Sequence, residues 1–206
     1  MHPLLEDGAR AQIHAAVEAI EARTSAEIVV AVERRAGTYA TPRALLGIAL
    51  AVACQLFLLF AEAPFPLDWF VVMPLAAGLV GALLGSLAPL QRRLTPSALR
   101  RQRVLQAAQA AFYRHRVGHT RAHTGILIYF ALTEGQAELV ADTGVLKVRP
   151  REAWQRSAAA IDEVLGRGGR PQAVANALEV LGDVLAGCLP ARDDDANELA
   201  DEVHYE

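Results

Sequence analysis

Apolar residues recur at three-to-four spacing over several stretches of the chain, a pattern typical of amphipathic helices. It predicts four helices, over residues 5–23, 95–118, 150–165 and 171–187. The second stretch begins with Thr95, a suitable capping residue, and Pro96, which fits the first turn of a helix. These four segments have one apolar stripe each, so we expect them to pack against another layer.

β-branched residues are concentrated elsewhere, in residues 25–33, SAEIVVAVE, and in residues 124–133, TGILIYFALT. Such runs are too short for further amphipathic helices and favour buried strands. Glu134 and Gly135 then predict a turn into residues 136–142, QAELVAD, where apolar and polar residues alternate. The pattern therefore predicts a β-hairpin within an α/β layer domain of three or four strands flanked by helices.

Two long apolar runs interrupt this domain. Residues 44–61 and 69–90 contain no charged side chain, and at 1.5 Å per residue they reach roughly 27 Å and roughly 33 Å. A core hairpin of a soluble protein is the alternative, but neither run has a polar face to meet water. Residues 62–68, EAPFPLD, break the helical pattern between them with two prolines. We therefore predict a two-helix transmembrane hairpin.

Small residues predict how this hairpin packs. Gly81 and Gly85 form a GxxxG pair, and Gly47 with Ala51 forms a similar pair in the first run. Small residues let two helix backbones approach closely in lipid, where dispersion contacts hold helices together. Packing within the hairpin and association of two copies are both compatible with this pattern, and the oligomeric state is left open.

Arginines flank both apolar runs, while the connecting turn carries only acids. By the positive-inside rule this distribution places both ends of the chain in the cytoplasm, and tryptophan favours the headgroup level. The lipid bilayer is thus an expected partner. The predicted membrane-interface residues are Arg34, Arg35, Arg43, Arg92, Arg93 and Trp69.

The predicted organisation is a discontinuous α/β domain, residues 1–40 plus 95–190, with a membrane hairpin at 44–90 and an acidic disordered tail at 191–206. Apolar residues make up 53% of the chain and charged residues 21%, which fits concentrated apolar runs. The net charge is −3, and the tail holds seven acids after Arg192. Because basic charge is local, no nucleic-acid partner is expected.

Several segments occur in an order that resembles a known family: ARTSAEIVV, a double membrane span, an Ala/Arg-rich helix, TGILIYFAL, VADTGV and NELADE. This order is similar to that of bacterial membrane-anchored TPM-domain proteins. The resemblance covers nearly the whole chain and implies a compact α/β sandwich in a two-pass protein of the bacterial cytoplasmic (inner) membrane. The matching positions are Arg23, Thr24, Ser25, Glu27, Thr124, Gly125, Ala141, Asp142, Gly144 and Trp154.

Relatives in that family have varied roles, which the resemblance carries over only as expectations. Some plant relatives are described as acid phosphatases or photosystem-repair factors, an animal relative as a receptor accessory protein, and some relatives bind calcium. Among the matching positions, Asp142 and Glu27 have side chains suited to metal binding or acid–base chemistry. The resemblance therefore implies a possible divalent cation such as calcium, with Asp142 as its candidate ligand.

Asp142 has two interpretations from the residues themselves. It ends a predicted strand, where ligands favour binding in open α/β sheets. The sequence Asp-Thr-Gly also suits a chain reversal, since Asp accepts hydrogen bonds from nearby amides and Gly adopts positive φ. Glu27 precedes an apolar run and suits a solvated strand edge.

His115, His119 and His123 would form a metal-binding stripe on a continuous helix, but Gly118 and the interleaved arginines favour a polar helix end.

Two functions follow. The first is a membrane-anchored interaction or accessory module at the cytoplasmic face, with a membrane-protein partner, because no convergent catalytic set is visible. The second is a divalent-metal-dependent, phosphatase-like hydrolase using Asp142, since phosphoryl transfer relies on positioning and cations more than on a nucleophile. A second carboxylate or histidine within roughly 6 Å of Asp142, in a cleft, is the minimum that the hydrolase requires.

Overall fold

The computed structural model describes residues 2–37, 40–87, 90, 93–191 and 204–205. The chain divides into two compact units. Unit 1 consists of residues 1–36 and 101–206, and unit 2 consists of residues 37–100. Unit 2 is thus inserted in the sequence between the first strand of unit 1 and the rest of that unit.

Helices and strands are numbered in chain order. The helices are α1 (Asp7–Glu21), α2 (Ala40–Phe60), α3 (Trp69–Leu84), α4 (Ser97–Arg114), α5 (Thr143–Val148), α6 (Arg151–Gly166) and α7 (Pro171–Cys188). The strands are β1 (Glu27–Glu33), β2 (Gly125–Ala131), β3 (Gln136–Ala141) and β4 (His204–Tyr205), and a 3-10 turn at Pro3–Leu5 precedes α1.

The strands of unit 1 form one mixed sheet in the order β3-β2-β1-β4. β1 and β2 are parallel, with Glu27 opposite Gly125 at the start of the pair. β3 returns antiparallel to β2 after the turn at Gly135, whose φ is +61°. The two-residue β4 pairs parallel with β1, with His204 opposite Ala31. β3 and β4 are therefore the edge strands among the described residues.

Helices cover both faces of this sheet. Alternate residues of β1 and β2, including Ile28 and Ile126, face a core formed with α1, α6 and α7. The intervening residues, including Val29 and Tyr129, face a smaller core formed with α4. Every residue of β2 is buried, which explains its continuous apolar sequence. Unit 1 is therefore a three-layer α/β/α structure.

The predicted α/β class is confirmed, and the predicted strands and long helices appear with shifts of a few residues at their ends. Helix α5 and strand β4 were not expected. The chain after Asp142 is not a simple reversal, because Thr143 begins α5 and Asp142 is its N-cap. Gly144 does not have positive φ. It is required for another reason, since a Cβ there would overlap the carbonyl oxygens of Ala122 and His123.

Unit 2 contains α2 and α3. By length and composition, Arg43–Phe60 is apolar enough to cross a membrane, and only 11% of that window is buried. α3 is apolar but has sixteen residues, about 24 Å. The prediction of one helical span over 69–90 is wrong at its end, because α3 stops at Leu84 and Gly85 is its C-cap. The described residues thus contain one helix that passes the length test, so the two-helix transmembrane hairpin is not confirmed.

Glycines bring α2 and α3 into close contact. A Cβ on Gly81 would lie 2.7 Å from the carbonyl oxygen of Leu46 and 2.9 Å from Cα of Gly47. A Cβ on Gly47 would lie 2.9 Å from the carbonyl oxygen of Gly78. The predicted packing glycine Gly81 therefore lies at the helix contact, while Gly85 is buried at the end of α3.

Most of the predicted acidic tail, residues 192–203 and 206, lies outside the described residues, as does Arg92. His204 and Tyr205 are described, and they belong to the sheet as β4. Ala191, the first residue of the predicted tail, is held to unit 1 as well, since its N–H donates to the Arg23 carbonyl oxygen at 3.2 Å. The described residues near both ends of the tail thus contact unit 1.

Candidate functional site

The carboxylate of Asp142 is held from two directions. Oδ1 accepts a hydrogen bond from the N–H of Thr143, which caps α5. Oδ2 lies 3.0 Å from Nδ1 of His123, in the loop before β2. The Asp142 side chain is 13% exposed, whereas the His123 ring is mostly exposed. The structure therefore brings a histidine into hydrogen-bond contact with the carboxylate that the sequence singles out.

Opposing effects act on the pKa of Asp142. Burial alone would raise it, but hydrogen bonds from Thr143 and from the His123 imidazole favour the charged carboxylate. The net pKa is below the ordinary value for aspartate. Asp142 is therefore an anion at neutral pH, which suits a cap or the binding of a positive group better than donation of a proton.

The loop before β2 fixes the position of His123. Its backbone is left-handed at His123, with φ of 56°, a conformation that is uncommon outside glycine. The carbonyl oxygen of His123 accepts from the N–H of Gly144 at 3.0 Å. Oγ1 of Thr120 accepts from the N–H of Thr124 at 2.9 Å and closes the loop. His123 is thus bound to the start of α5 through both its backbone and its ring.

Glu27 lies at the same end of the sheet. It opens β1 opposite Gly125, and the Gly125 carbonyl oxygen accepts from the N–H of Asp142 at 2.9 Å. β2 therefore separates the two acidic residues that the family resemblance suggested as ligands.

The histidine stripe does not form, because α4 ends at Arg114, before His115.

A metal at Asp142 stays a prediction. Within the part of the chain that the structure describes, no group of three or more His, Cys, Asp or Glu side chains is arranged to hold a metal ion. Asp142 and His123 make a pair, and Thr143 already occupies one carboxylate oxygen. Calcium takes six to eight oxygen ligands, so this pair alone is a small part of such a shell.

A second polar cluster, not predicted from the sequence, lies at the carboxyl ends of the parallel strands. The hydroxyl of Tyr129 donates to Glu33 at 2.8 Å, and the guanidinium of Arg114 contacts the same carboxylate at 3.3 Å. Burial and the hydrogen bond to Glu33 raise the pKa of Tyr129. Glu134 is also buried and accepts from the N–H of Ala36 at 3.1 Å. Because Tyr129 lies in a continuous apolar strand, the pattern suggested only a core residue.

His115 and His204 extend this end of the sheet. Their rings stack with centroids 4.1 Å apart and planes 14° apart. His204 belongs to β4, and His115 follows directly after α4. The stack therefore connects the last described residues of the chain to the helix that covers the sheet.

The predicted membrane-interface residues are exposed wherever the structure describes them. Arg34 and Arg35 follow β1 and belong to unit 1, while Arg43, Arg93 and Trp69 belong to unit 2. Trp69 stacks on Phe65 with ring centroids 5.8 Å apart. Phe65 also contacts Phe57, with centroids 6.3 Å apart. An aromatic cluster therefore lies at the turn between α2 and α3.

Comparison with known proteins shows a similarity of fold. No family model and no curated protein matches the chain. The chain is similar in fold to a protein known by an NMR structure, BA42 from the psychrophilic bacterium Bizionia argentinensis. The TM-score is 0.60 and the identity 18%, over 98% of this chain and 95% of that chain. At this identity the similarity supports the fold and carries no function.

Proposed function

We propose that this protein is a membrane-anchored interaction module of the TPM-like type, in which unit 2 inserts into the bilayer and unit 1 works at its cytoplasmic face. A membrane protein is the proposed partner. The observation that carries the proposal is the exposure of apolar side chains around α2. A core helix of a soluble protein would be mostly buried, whereas the α2 window is 11% buried.

Features of α3 support a helical pair in the membrane. Val71, Leu75 and Leu79 are exposed along α3, and glycines join this helix closely to α2. Sixteen residues are fewer than the usual span, but a bilayer thins locally around a short apolar helix at modest cost. The aromatic cluster at the turn suits the headgroup region on the far side. Two passes return the chain to the side on which it started.

Exposed arginines support the orientation. Arg35, Arg43 and Arg93 flank the two helices, and Glu62 and Asp68 lie in the turn. Positive residues are retained on the cytoplasmic side during insertion. The same guanidinium groups would lie near anionic lipid headgroups, each contributing about 1 kcal/mol of attraction.

Topology reporters test this proposal. Reporter domains that are active only outside or only inside the cytoplasm are fused to the N-terminus, to the C-terminus and into the 62–68 turn. We expect cytoplasmic signal from both ends, external signal from the turn, and retention of the chain in membranes after alkaline extraction. A single pass would give opposite signals at the two ends, and extraction into the soluble fraction would exclude the membrane anchor.

The hydrolase stays as a second candidate, because His123 lies well within the distance that it requires from Asp142. Asp142 is ionised at neutral pH, as a cation ligand must be, but Thr143 and His123 already contact its two oxygens and the described donors are few. The test is hydrolysis of p-nitrophenyl phosphate by the full chain in mild detergent, with Mg²⁺, Ca²⁺ or EDTA. Metal-dependent turnover that disappears in Asp142→Asn would support this candidate, and turnover that survives the substitution would dispose of it.

A further inference from the structure

An open cavity of about 790 Å³ lies in unit 1 along the outer edge of β3. One wall is α6, which contributes residues from Trp154 to Glu163, over about 13.5 Å. Arg101 of α4 and Arg149, which follows α5, complete the lining. Ala158 and Ala159 lie in the middle of the α6 wall, where their small side chains leave room. The cavity is therefore elongated, with an edge strand along its length.

Past Ala137, the backbone of β3 can pair with another strand on this side. The N–H of Ala137 faces away from β2, because it donates to Oδ1 of Asp162 at 2.8 Å. Backbone groups of a strand alternate sides with a period of two, so the N–H and C=O of Leu139 face the same way. Leu139 also lines the cavity. The cavity thus contains a strand edge of the kind to which extended peptides add.

Charge differs between the two ends of the cavity. At one end, the guanidinium of Arg149 lies 5.1 Å from the ring centroid of Trp154. Its Nε is buried without a hydrogen-bond partner, and no carboxylate of the described residues forms an ion pair with it. Asp162 and Glu163 line the other end, and because Glu163 pairs with Arg167, Asp162 carries the negative charge of that end.

Glu138 lies between these ends. Burial raises the pKa of its carboxyl, Asp162 raises it further, and Arg101 opposes the shift. Arg101 and Asp162 also line the cavity, so charged side chains from β3, α6 and α4 meet there. Convergent charged groups in a partly apolar cavity are typical of binding sites.

We propose that this cavity binds an extended segment of a partner protein, which adds antiparallel to β3 and places an acidic side chain at Arg149 and a basic one near Asp162 and Glu163. The antiparallel direction is the commoner one for strand pairs. The distance along α6 fits acidic and basic side chains about four residues apart in an extended chain. This inference deepens the proposed function, because it names the surface through which the module would bind.

Trp154 reports on binding directly. The chain has two tryptophans, so Trp69→Phe leaves Trp154 as the sole indole. The full chain with this substitution, in mild detergent, is titrated with the blocked peptide acetyl-Glu-Val-Thr-Val-Lys-amide. We expect a saturable fluorescence change with Kd below about 1 mM. The reversed sequence should bind at least about fivefold more weakly, since its charges would oppose those of the cavity.

Two changes separate strand addition from non-specific attraction. Arg149→Met should weaken binding by roughly tenfold, because it removes the guanidinium while keeping a long apolar side chain. Arg151→Met is the matched control, since Arg151 is exposed and does not line the cavity. The second change is in the peptide and uses protein that keeps Arg149. N-methylation of the central threonine should weaken binding relative to the parent peptide, because it removes a strand N–H and adds bulk at the edge.

The proposal is overturned if neither peptide gives a saturable change up to about 10 mM. It is overturned equally if Arg149→Met and Arg151→Met bind alike, or if the N-methylated peptide binds as well as its parent. The last result would indicate side-chain attraction without strand pairing. Because the titration uses solubilised protein, its failure is distinct from a failure of the membrane topology test.

Discussion

The N–H of Ala137 donates to the Asp162 carboxylate at 2.8 Å, and this bond joins the outer edge of β3 to α6. A similar bond occurs in β1 before its pairing with β4, since the N–H of Ile28 donates to Oε1 of Glu21 at 2.7 Å. In each case a helix carboxylate satisfies a strand amide that has no neighbouring strand beside it. Such bonds reduce the free backbone that an edge presents to unwanted pairing.

Removing the Asp162 carboxylate should destabilise unit 1. Asp162→Ala leaves the N–H of Ala137 without its acceptor at a buried position, so we expect a loss of about 1–3 kcal/mol in the free energy of unfolding. Urea unfolding of the full chain in detergent, followed by circular dichroism, measures this loss. Asp162→Asn is the control, because its amide oxygen can still accept the bond. Equal losses in both variants would contradict a hydrogen-bond role.

The Asp142–His123 pair should make stability depend on acid pH. The pKa of Asp142 is lowered in the folded chain, so its contribution is complete above the unfolded value of about 3.9. That contribution is lost as the pH falls through the lowered pKa. Unfolding measured across this acid range should therefore show a pH dependence that is smaller in Asp142→Asn.

His123→Gln offers an independent measurement of the same pair. Loss of the imidazole removes one of the groups that favour the charged carboxylate, so the pKa of Asp142 should rise. The carboxyl carbon shift of Asp142, followed by NMR titration, reports this pKa. His119→Gln serves as the matched control, since the described contacts of Asp142 do not include His119. An unchanged pKa in His123→Gln would show that Thr143 alone holds the carboxylate.

Local patterns were sufficient to predict much of this fold. The β-branched runs correspond to β1 and β2, and the Glu134–Gly135 turn joins β2 to β3. Helix α5 was missed because six residues are too few to show a helical period. β4 was missed because two residues in an acidic tail carry no strand pattern, and their pairing depends on a distant strand.

The candidate site was harder to predict from the sequence than the fold was. Asp142 could be singled out as a strand-end acid, but its contact with His123 depends on a left-handed loop residue that no periodicity indicates. Arg149 and Trp154 were not linked either, because their contact depends on how α5 turns into α6. Contacts of this kind depend on how separate elements pack together, which the residue pattern within one element does not show.

Gly81 should be intolerant of substitution within unit 2. A Cβ in Gly81→Ala would lie 2.7 Å from the Leu46 carbonyl oxygen, so we expect α2 and α3 to separate slightly. The free energy of unfolding should fall by about 1–3 kcal/mol. Thermal unfolding in detergent compares this variant with Gly8→Ala and Gly187→Ala. A Cβ at either control position meets nothing within 4 Å. Alanine is a better helix former than glycine, so both controls should be neutral or stabilising.

The stack of His115 on His204 should hold β4 against β1. His204→Ala removes the ring contact, so the backbone amides of β1 that face β4 should exchange with solvent faster. Hydrogen exchange at Val32 measures this effect. The amide of Ile28 is the internal reference, because Glu21 binds it independently of β4. Unchanged exchange at Val32 would show that β4 pairs without help from the stack.

The pairing of Glu27 with Gly125 has a consequence for biogenesis. The two strands are synthesised about a hundred residues apart, and all of unit 2 leaves the ribosome between them. Strand β1 therefore has no partner until β2 has been synthesised. Apolar strands that are exposed without a partner are prone to aggregate. Maturation of the α/β unit is thus coupled in time to the synthesis of α2 and α3, so a delay there would lengthen the time in which β1 is exposed and can misfold.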